Sequence, residues 1–105
     1  SLQDAITATS GSGPAYFFAF VEAMVEGAVA LGLSREDATT PTIQTIVGSA
    51  ALLEKSGDSP TTLREKVTSP NGTTFAALNS FNDSDISGVV AKAMKAARDR
   101  SQELA

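Results

Sequence analysis

The most apolar part of the chain is AYFFAFVEAMVEGAVALGL, residues 15–33, in which Glu22 and Glu26 are the only charged residues. These glutamates are four residues apart and would share one face of a helix, leaving the other faces apolar or small. A helix of that kind is either buried or membrane-spanning. Pro14 suits the first position of a helix, so the pattern predicts that the helix begins there, after a break at SGSGP, residues 10–14.

A membrane span needs about 20 apolar residues, a length that this run approaches. Two carboxylates in the middle of the run oppose that interpretation, because one ionised residue at the bilayer centre costs about 2.5–3.5 kcal/mol. We therefore expect the helix to be buried against protein. A chain of 105 residues cannot easily cover every face of it. The pattern thus favours an intertwined homodimer over a monomeric bundle with a well-covered central helix.

A second helical pattern covers residues 34–57. Ser34, with Asp37 three residues later, resembles a capping box, and apolar residues recur at helical spacing as far as Gly57, which suits the end of a helix. Pro41 lies inside this pattern and cannot donate a backbone hydrogen bond. It predicts that the helix is kinked there or split just before it.

The rest of the chain predicts a further long helix and several short ones. They fall at residues 1–7, 58–67, 71–81 and 86–104, with Ser59 capping the second of these and the polar NDSD, 82–85, preceding the last. No segment alternates cleanly with the period of two that a strand requires. The predicted fold is therefore all-α: a helical bundle of three long and two or three short helices, forming one domain over residues 1–105.

Composition narrows the chemistry. The chain has no Cys and no His, so neither the usual Ser–His or Cys–His nucleophile pairs nor an ordinary zinc site can be built from it. Its net charge of −4 argues against a nucleic-acid surface. The lack of Cys favours a reducing compartment, and we expect the cytoplasm. Glu22 and Glu26 are either a carboxylate pair for acid–base chemistry or a polar stripe at an interface.

The stretch VTSPNGTTFAAL, residues 67–78, places hydroxyl groups around a Pro-Asn-Gly turn where a helix is predicted to begin. The first backbone N–H groups of a helix have no intrahelical partners and carry the positive end of its dipole. Gly72 would let a ligand approach them, and Thr73 and Thr74 add hydroxyls. The stretch therefore predicts a pocket for a carboxylate or phosphate. Similar clusters also cap helices with no ligand present, so a simple cap is the alternative.

Several segments, taken in order, resemble the C-terminal domain of pyrroline-5-carboxylate reductase: SGSGPAYFFAFVEAMVEGAVALGL, SREDA, LREKVTSPNGTTFAAL and RDRSQEL. The resemblance covers essentially the whole chain, and Ser-Pro-x-Gly-Thr-Thr is its most specific motif. It implies a fold like the C-terminal domain of 6-phosphogluconate dehydrogenase, and a homodimer or higher oligomer. It also implies reduction of 1-pyrroline-5-carboxylate to L-proline, the last step of proline biosynthesis, with NADPH or NADH. A Rossmann domain absent from this chain would hold most of the cofactor, and the isolated helical domain is expected to be inactive. No metal, nucleic acid or membrane is implied.

The same resemblance implies roles for the residues of the turn. The backbone amides around Asn71, Gly72 and Thr73 would hold the substrate carboxylate, and Ser69 would belong to the same pocket. The hydroxyl of Thr74 would bond the ring nitrogen of the substrate, which makes Thr74 the expected catalytic residue. Asn71 stands where the family commonly has a glycine. Because Asn tolerates left-handed backbone angles, we expect the turn to be kept.

Two other interpretations of the chain remain open. One is a stand-alone helical dimerisation module without catalysis, which would not need the Ser-Pro-Asn-Gly-Thr-Thr turn to remain accessible. The other is the helical domain of a different two-domain dehydrogenase, acting on a hydroxy acid with a lysine as acid–base group. Lys55 and Lys66 are the only lysines outside the last helix, and neither lies in a pattern typical of that role.

Overall fold

The computed structural model describes residues 1–105 and contains only helices and their connections. The elements in chain order are α1 (Leu2–Ile6), a π-helical segment (Thr7–Gly11), α2 (Gly13–Ala30), α3 (Arg35–Lys55), α4 (Pro60–Lys66), α5 (Thr73–Asp83) and α6 (Ile86–Leu104). The prediction of an all-α fold with three long and three short helices is confirmed. The helices group into two compact units, one made of residues 1–16 and 68–105 and the other of residues 17–67.

In the first unit, α1 and the π-helical segment pack against α6, and α5 packs against α6. The centre of this packing is Ala8, which is only 3% exposed. The Ser101 hydroxyl donates a hydrogen bond of 2.7 Å to the Asp4 carboxylate, which joins the first helix to the last. Asp85 begins α6 in a left-handed conformation, and its carboxylate accepts from the Gly88 amide at 3.2 Å.

The break predicted at residues 10–14 is much shorter in the structure. Helical backbone continues from α1 through Gly11, only Ser12 lies outside a helix, and α2 begins at Gly13. The two glycines suggested a loop because glycine favours non-helical backbone. The hydroxyl-rich sequence before Ser12 instead adopts the wider π-helical turn, which sequence periodicity does not distinguish from an α-helix.

The second unit contains the body of α2 together with α3 and α4. Helix α2 ends three residues before the predicted limit, since Gly32 takes φ +112° and the Leu33 amide bonds back to the Ala28 carbonyl at 3.2 Å. Helix α3 then starts as predicted, with the Ser34 hydroxyl accepting from the Asp37 amide at 3.1 Å. Ser59 caps α4 in the same way, through the Thr62 amide at 3.1 Å.

Helix α3 runs without interruption through Pro41, so the predicted alternative of a split before Pro41 is wrong. Pro41 is the seventh residue of the helix and removes one backbone hydrogen bond, the bond to the Asp37 carbonyl. Both residues are exposed, so water can serve that carbonyl. The carbonyl of Pro41 itself accepts a hydrogen bond of 2.7 Å from the Thr45 hydroxyl. The lost bond is therefore tolerated within a helix of 21 residues.

Large apolar side chains remain exposed on both long helices of the second unit. On α2, Phe17 is 61% exposed and Phe18 is 68% exposed. On α3, Val47 is 62% exposed and Leu52 is 55% exposed. Val25 and Ala38 are the buried apolar residues of this unit, with exposures of 7% and 1%. Apolar surface of this kind is typical of a chain that completes its core with a partner.

No helix combines the length and apolar character needed to cross a membrane.

Candidate functional site

Residues 69–72 form a tight turn that leads into α5. The Gly72 amide donates to the Ser69 carbonyl at 3.1 Å, which closes the turn. Pro70 occupies the second position, where its fixed φ fits, and Asn71 occupies the third with φ +60°. The expectation that Asn71 would accept left-handed backbone is confirmed.

Gly72 is the N-cap residue of α5 and has no side chain with which to cap the helix. Its carbonyl accepts the first helical bond, from the Ala76 amide at 3.1 Å. The amides of Thr73, Thr74 and Phe75 therefore precede the helical bonding pattern, and no side chain caps them. A glycine at this position leaves three donors facing outward at the positive end of the helix dipole.

The hydroxyls of Thr73 and Thr74 differ from those of threonines inside helices. Within α3, the hydroxyls of Thr39, Thr42 and Thr45 each donate at 2.7 Å to the carbonyl four residues earlier. Thr73 and Thr74 begin their helix, so the residues four positions earlier, Ser69 and Pro70, lie in the turn and not in a helix. Their hydroxyls are thus available to a ligand beside the backbone amides. Thr74 is half-buried and Thr73 is exposed.

The positive partial charge at the start of α5 comes from the backbone dipoles of the helix. No charged residue lies between Lys66 and Asp83 in the sequence. An anion bound at the start of α5 would therefore meet the helix dipole and hydrogen-bond donors without a neighbouring carboxylate in the same segment to repel it. Hydrogen bonds to a charged group contribute about 1.5–3 kcal/mol each, so two or three would orient a small carboxylate.

All five predicted site residues lie in this turn and the first turn of α5. Ser69, Asn71 and Thr73 are exposed, whereas Gly72 and Thr74 are half-buried. One detail differs from the sequence-based expectation: the Gly72 amide is engaged by the Ser69 carbonyl at 3.1 Å. The donors left open are those of Thr73, Thr74 and Phe75, one step further along the chain. The hydrogen bond from the Gly72 amide to the Ser69 carbonyl decides which amides remain open. The motif alone does not reveal that bond.

A second relationship in the turn was not foreseen. A Cβ atom placed on Gly72 would lie 2.7 Å from the Ser69 hydroxyl oxygen and 3.3 Å from its carbonyl oxygen. The Ser69 hydroxyl therefore occupies the space that a side chain at position 72 would take. The motif places Ser three residues before Gly, so the sequence shows that the two residues are near each other in the chain. It does not show how closely the Ser69 hydroxyl approaches position 72.

The carboxylate pair of α2 does not form an acid–base site. Arg35 donates to Glu26 at 2.7 Å, and both side chains are well exposed. This hydrogen bond, with the guanidinium charge, lowers the pKa of Glu26 below its ordinary value, so the group is poorly suited to donate a proton. Of the two lysines outside the last helix, Lys66 forms an ion pair with Asp58 at 2.6 Å. No group of three or more acidic side chains is arranged to hold a metal ion.

The helical chain offers no unit that would bind a dinucleotide. Such cofactors are held where a strand ends in a glycine-rich turn and a helix begins, and no strand is present here. The helices of this chain therefore do not form a dinucleotide site of that kind.

A model of the family described as pyrroline-5-carboxylate reductase dimerisation matches residues 1–104. The pyrroline-5-carboxylate reductase of Pseudomonas aeruginosa is 51% identical over 102 residues, which is 97% of this chain and 37% of that protein. The enzyme of the same name from Arabidopsis thaliana is 44% identical over 101 residues, 96% of this chain and 37% of that protein. The chain thus spans less than two fifths of the length of these relatives.

Solved structures agree with the sequence comparisons. The pyrroline-5-carboxylate reductase of Coxiella burnetii matches with a TM-score of 0.94 and 41% identity, over 97% of this chain and 38% of that one. The pyrroline carboxylate reductase of Plasmodium falciparum, solved with NADP bound, matches with a TM-score of 0.92 and 36% identity, over 96% of this chain and 41% of that one.

Proposed function

Since this chain belongs to the pyrroline-5-carboxylate reductase dimerisation family, we propose that it is the C-terminal domain of an enzyme that reduces 1-pyrroline-5-carboxylate to L-proline with NADPH or NADH. The observation that carries the proposal is the open set of donors at the start of α5, within the Ser-Pro-x-Gly-Thr-Thr motif. A substrate with a ring nitrogen and an adjacent carboxylate needs donors for both groups within a few ångströms. The amides and hydroxyls of the turn and the first turn of α5 offer that combination.

The carboxylate of the substrate binds at the amides of Thr73, Thr74 and Phe75, beside the Ser69 hydroxyl. Asn71 contributes by its backbone, since its left-handed conformation turns the chain so that α5 starts at Thr73. The lack of a side chain on Gly72 leaves room for the Ser69 hydroxyl, which a Cβ at position 72 would approach to 2.7 Å. Each role depends on backbone direction, which explains why a turn without charged residues can hold an anion.

The Thr74 hydroxyl bonds the ring nitrogen and fixes the orientation of the imine. When bound, a nicotinamide cofactor would supply the hydride for the imine carbon. The nitrogen gains its proton from solvent and becomes the amine of L-proline. Because the imine is already polarised, the protein mainly positions the ring, and the absence of His and Cys from this chain is compatible with that role.

The cofactor is bound mainly by a Rossmann domain that precedes this chain in the full-length protein. The support for this is the greater length of the relatives, since this chain spans only 37–41% of eight pyrroline-5-carboxylate reductases that it resembles. The helical fold of the chain itself also leaves the nucleotide to another domain. The isolated chain is therefore expected to bind L-proline weakly or not at all and to have no reductase activity.

A second copy of the chain covers the apolar faces of α2 and α3, forming an intertwined homodimer. The exposed Phe17, Phe18, Val47 and Leu52 support this arrangement, together with the description of the family as a dimerisation domain. Sedimentation at micromolar concentration should give twice the mass of one chain. A purely monomeric species would contradict the dimer, and a larger mass would indicate a higher oligomer.

The experiment that tests the function is an assay of the full-length protein with 1-pyrroline-5-carboxylate and each nicotinamide cofactor. We expect oxidation of NADPH or NADH that depends on the substrate, with L-proline as the product. A hydroxy acid or its keto acid serves as the control substrate for the rival dehydrogenase. Turnover of that control without turnover of the imine would refute the proposal, and no turnover of either would favour a dimerisation module.

A further inference from the structure

The π-helical segment Thr7–Gly11 ends in a backbone hydrogen bond that spans one residue more than an α-helical bond does. The Ser12 amide donates at 2.8 Å to the carbonyl of Thr7, five residues earlier. In an α-helix the same amide would donate to Ala8, four residues earlier. The π register therefore deprives the Ala8 carbonyl of its usual donor.

Tyr16 supplies the missing donor from the first turns of α2. Its hydroxyl donates at 2.6 Å to the Ala8 carbonyl. Ala8 is only 3% exposed, so water has little access to this position. A buried carbonyl without a donor is costly, and the Tyr16 hydroxyl removes that cost only while the π register is kept.

The other hydroxyls of this region do not distinguish the two registers. Those of Thr7, Thr9 and Ser10 donate to the carbonyls four residues earlier, at distances of 3.0, 2.8 and 3.2 Å. Threonine and serine make such bonds in ordinary α-helices too, as α3 demonstrates. Tyr16 bonds the carbonyl that would accept from the Ser12 amide in the α register.

We propose that Tyr16 is a positioning residue that selects the π register of Thr7–Gly11 and so sets the direction in which α1 faces. In the alternative α register, the Ser12 amide bonds the Ala8 carbonyl, which then no longer depends on the tyrosine hydroxyl for a donor. One residue corresponds to about 100° of rotation and 1.5 Å of rise, so the change turns α1 about its axis by that amount.

The consequence for catalysis rests on the proposed function. The nucleotide-binding domain of that enzyme would precede α1, and a rotation of α1 would change how it approaches the substrate turn. Tyr16 would then act on the reaction without touching the substrate. Loss of its hydroxyl is expected to lower kcat by about 10- to 100-fold, because small misplacements of reacting groups have effects of that size.

The direct test is the crystal structure of the full-length Tyr16→Phe protein beside that of the wild type. We expect the Ser12 amide to bond the Ala8 carbonyl in the variant, with α1 turned by one residue. A variant that keeps the bond from Ser12 to Thr7 would overturn the inference. Thr9→Val is the matched control, since it removes a hydroxyl bonded to a carbonyl of the same region and should leave the register unchanged.

A stability measurement serves if the variant does not crystallise. Tyr16→Phe should lower Tm by about 2–4 °C in a protein of the relatives' size. An unchanged Tm would contradict the proposal, because the Ala8 carbonyl would then not depend on the tyrosine hydroxyl.

Kinetics of the full-length protein separate this inference from the proposed function. Tyr16→Phe should lower kcat while the affinity for L-proline stays within about twofold, since the turn at Ser69–Thr74 is untouched. An unchanged kcat would refute the catalytic consequence. A wild-type protein without reductase activity would refute the proposed function, and the structure of the Tyr16→Phe variant would still decide which residue sets the register.

Discussion

The Ser69 hydroxyl oxygen lies 2.7 Å from the point that a Cβ atom would occupy on Gly72. The backbone of Gly72 has φ −85° and ψ −172°, which any residue can adopt. Glycine is therefore needed at this position for space, not for its freedom at positive φ.

Gly72→Ala should destabilise the protein and displace the Ser69 hydroxyl. The overpacking costs about 1–3 kcal/mol, and the reduced freedom of the unfolded chain offsets about 0.4–1 kcal/mol of it. In a Ser69→Ala background the closest contact is gone, so the cost should fall. A double-mutant cycle on the free energy of unfolding measures this coupling. Equal costs in the two backgrounds would show that the hydroxyl does not restrict position 72.

Asn71 holds φ +60°, in the left-handed region where β-branched residues are strained. Asn71→Gly should leave the free energy of unfolding nearly unchanged, whereas Asn71→Val should lower it by about 1–2 kcal/mol. Both variants remove the same side-chain amide, so glycine is the control for its loss. Chemical denaturation compares them. Equal stability of the valine and glycine variants would mean that the turn does not depend on this backbone angle.

Thr74→Val keeps the branched shape of the side chain and removes its hydroxyl. If that hydroxyl bonds the ring nitrogen, kcat/KM of the full-length enzyme should fall by about 10- to 100-fold, the equivalent of one bond to a charged or developing charged group. Stability and dimer mass should not change, because the hydroxyl has no partner inside the protein that the substitution would remove.

Thr61 offers a matched control for that substitution. It is the second residue of α4, as Thr74 is the second residue of α5, and it is exposed. Thr61→Val should therefore leave kcat/KM within about twofold of the wild type. Equal effects of the two substitutions would indicate a general response to losing a hydroxyl at a helix start and would remove Thr74 from the catalytic role.

The ion pair between Glu26 and Arg35 gives a pH dependence with a defined sign. The hydrogen bond from Arg35 lowers the pKa of Glu26 in the folded state. Its contribution to stability is therefore present above the ordinary glutamate pKa and is lost as the pH falls through the lowered value. Both side chains are more than 60% exposed, so the effect should be small.

Glu26→Gln tests this account. The variant should unfold slightly more easily than the wild type at neutral pH, and the difference should shrink as the solution is acidified below the ordinary glutamate pKa. The pH profile of the reductase activity should be unchanged. A shift in the pH profile of the activity would indicate that Glu26 acts as an acid–base group.

The sequence predicted the elements whose signals are local. Ser34 and Ser59 cap the helices that their positions indicated, with hydrogen bonds of 3.1 Å in each case. Asn71 takes the left-handed angle expected of it, and α6 spans residues 86–104 as its apolar face predicted. The helix predicted at residues 71–81 is also present, although it begins at Thr73 and ends at Asp83. Each of these features depends on a few neighbouring residues.

Features that depend on which hydrogen-bond partner a backbone amide or carbonyl has could not be predicted from the sequence. In the π-helical segment, the Ser12 amide bonds the Thr7 carbonyl and the Tyr16 hydroxyl bonds the Ala8 carbonyl. This pairing depends on how the side chains pack in three dimensions. The survival of α3 through Pro41 depends on the exposure of the carbonyl that loses its donor. The engagement of the Gly72 amide by Ser69 likewise needed coordinates, because the motif permits either arrangement.

The central claim is that the turn before α5 holds the substrate carboxylate on backbone amides. It is tested most directly by a crystal structure of the full-length protein with L-proline and the oxidised cofactor. We predict the proline carboxylate within about 2.7–3.2 Å of the amide nitrogens of Thr73, Thr74 or Phe75, and the ring nitrogen at a similar distance from the Thr74 hydroxyl. A proline bound elsewhere, with these amides facing only water, would contradict the account.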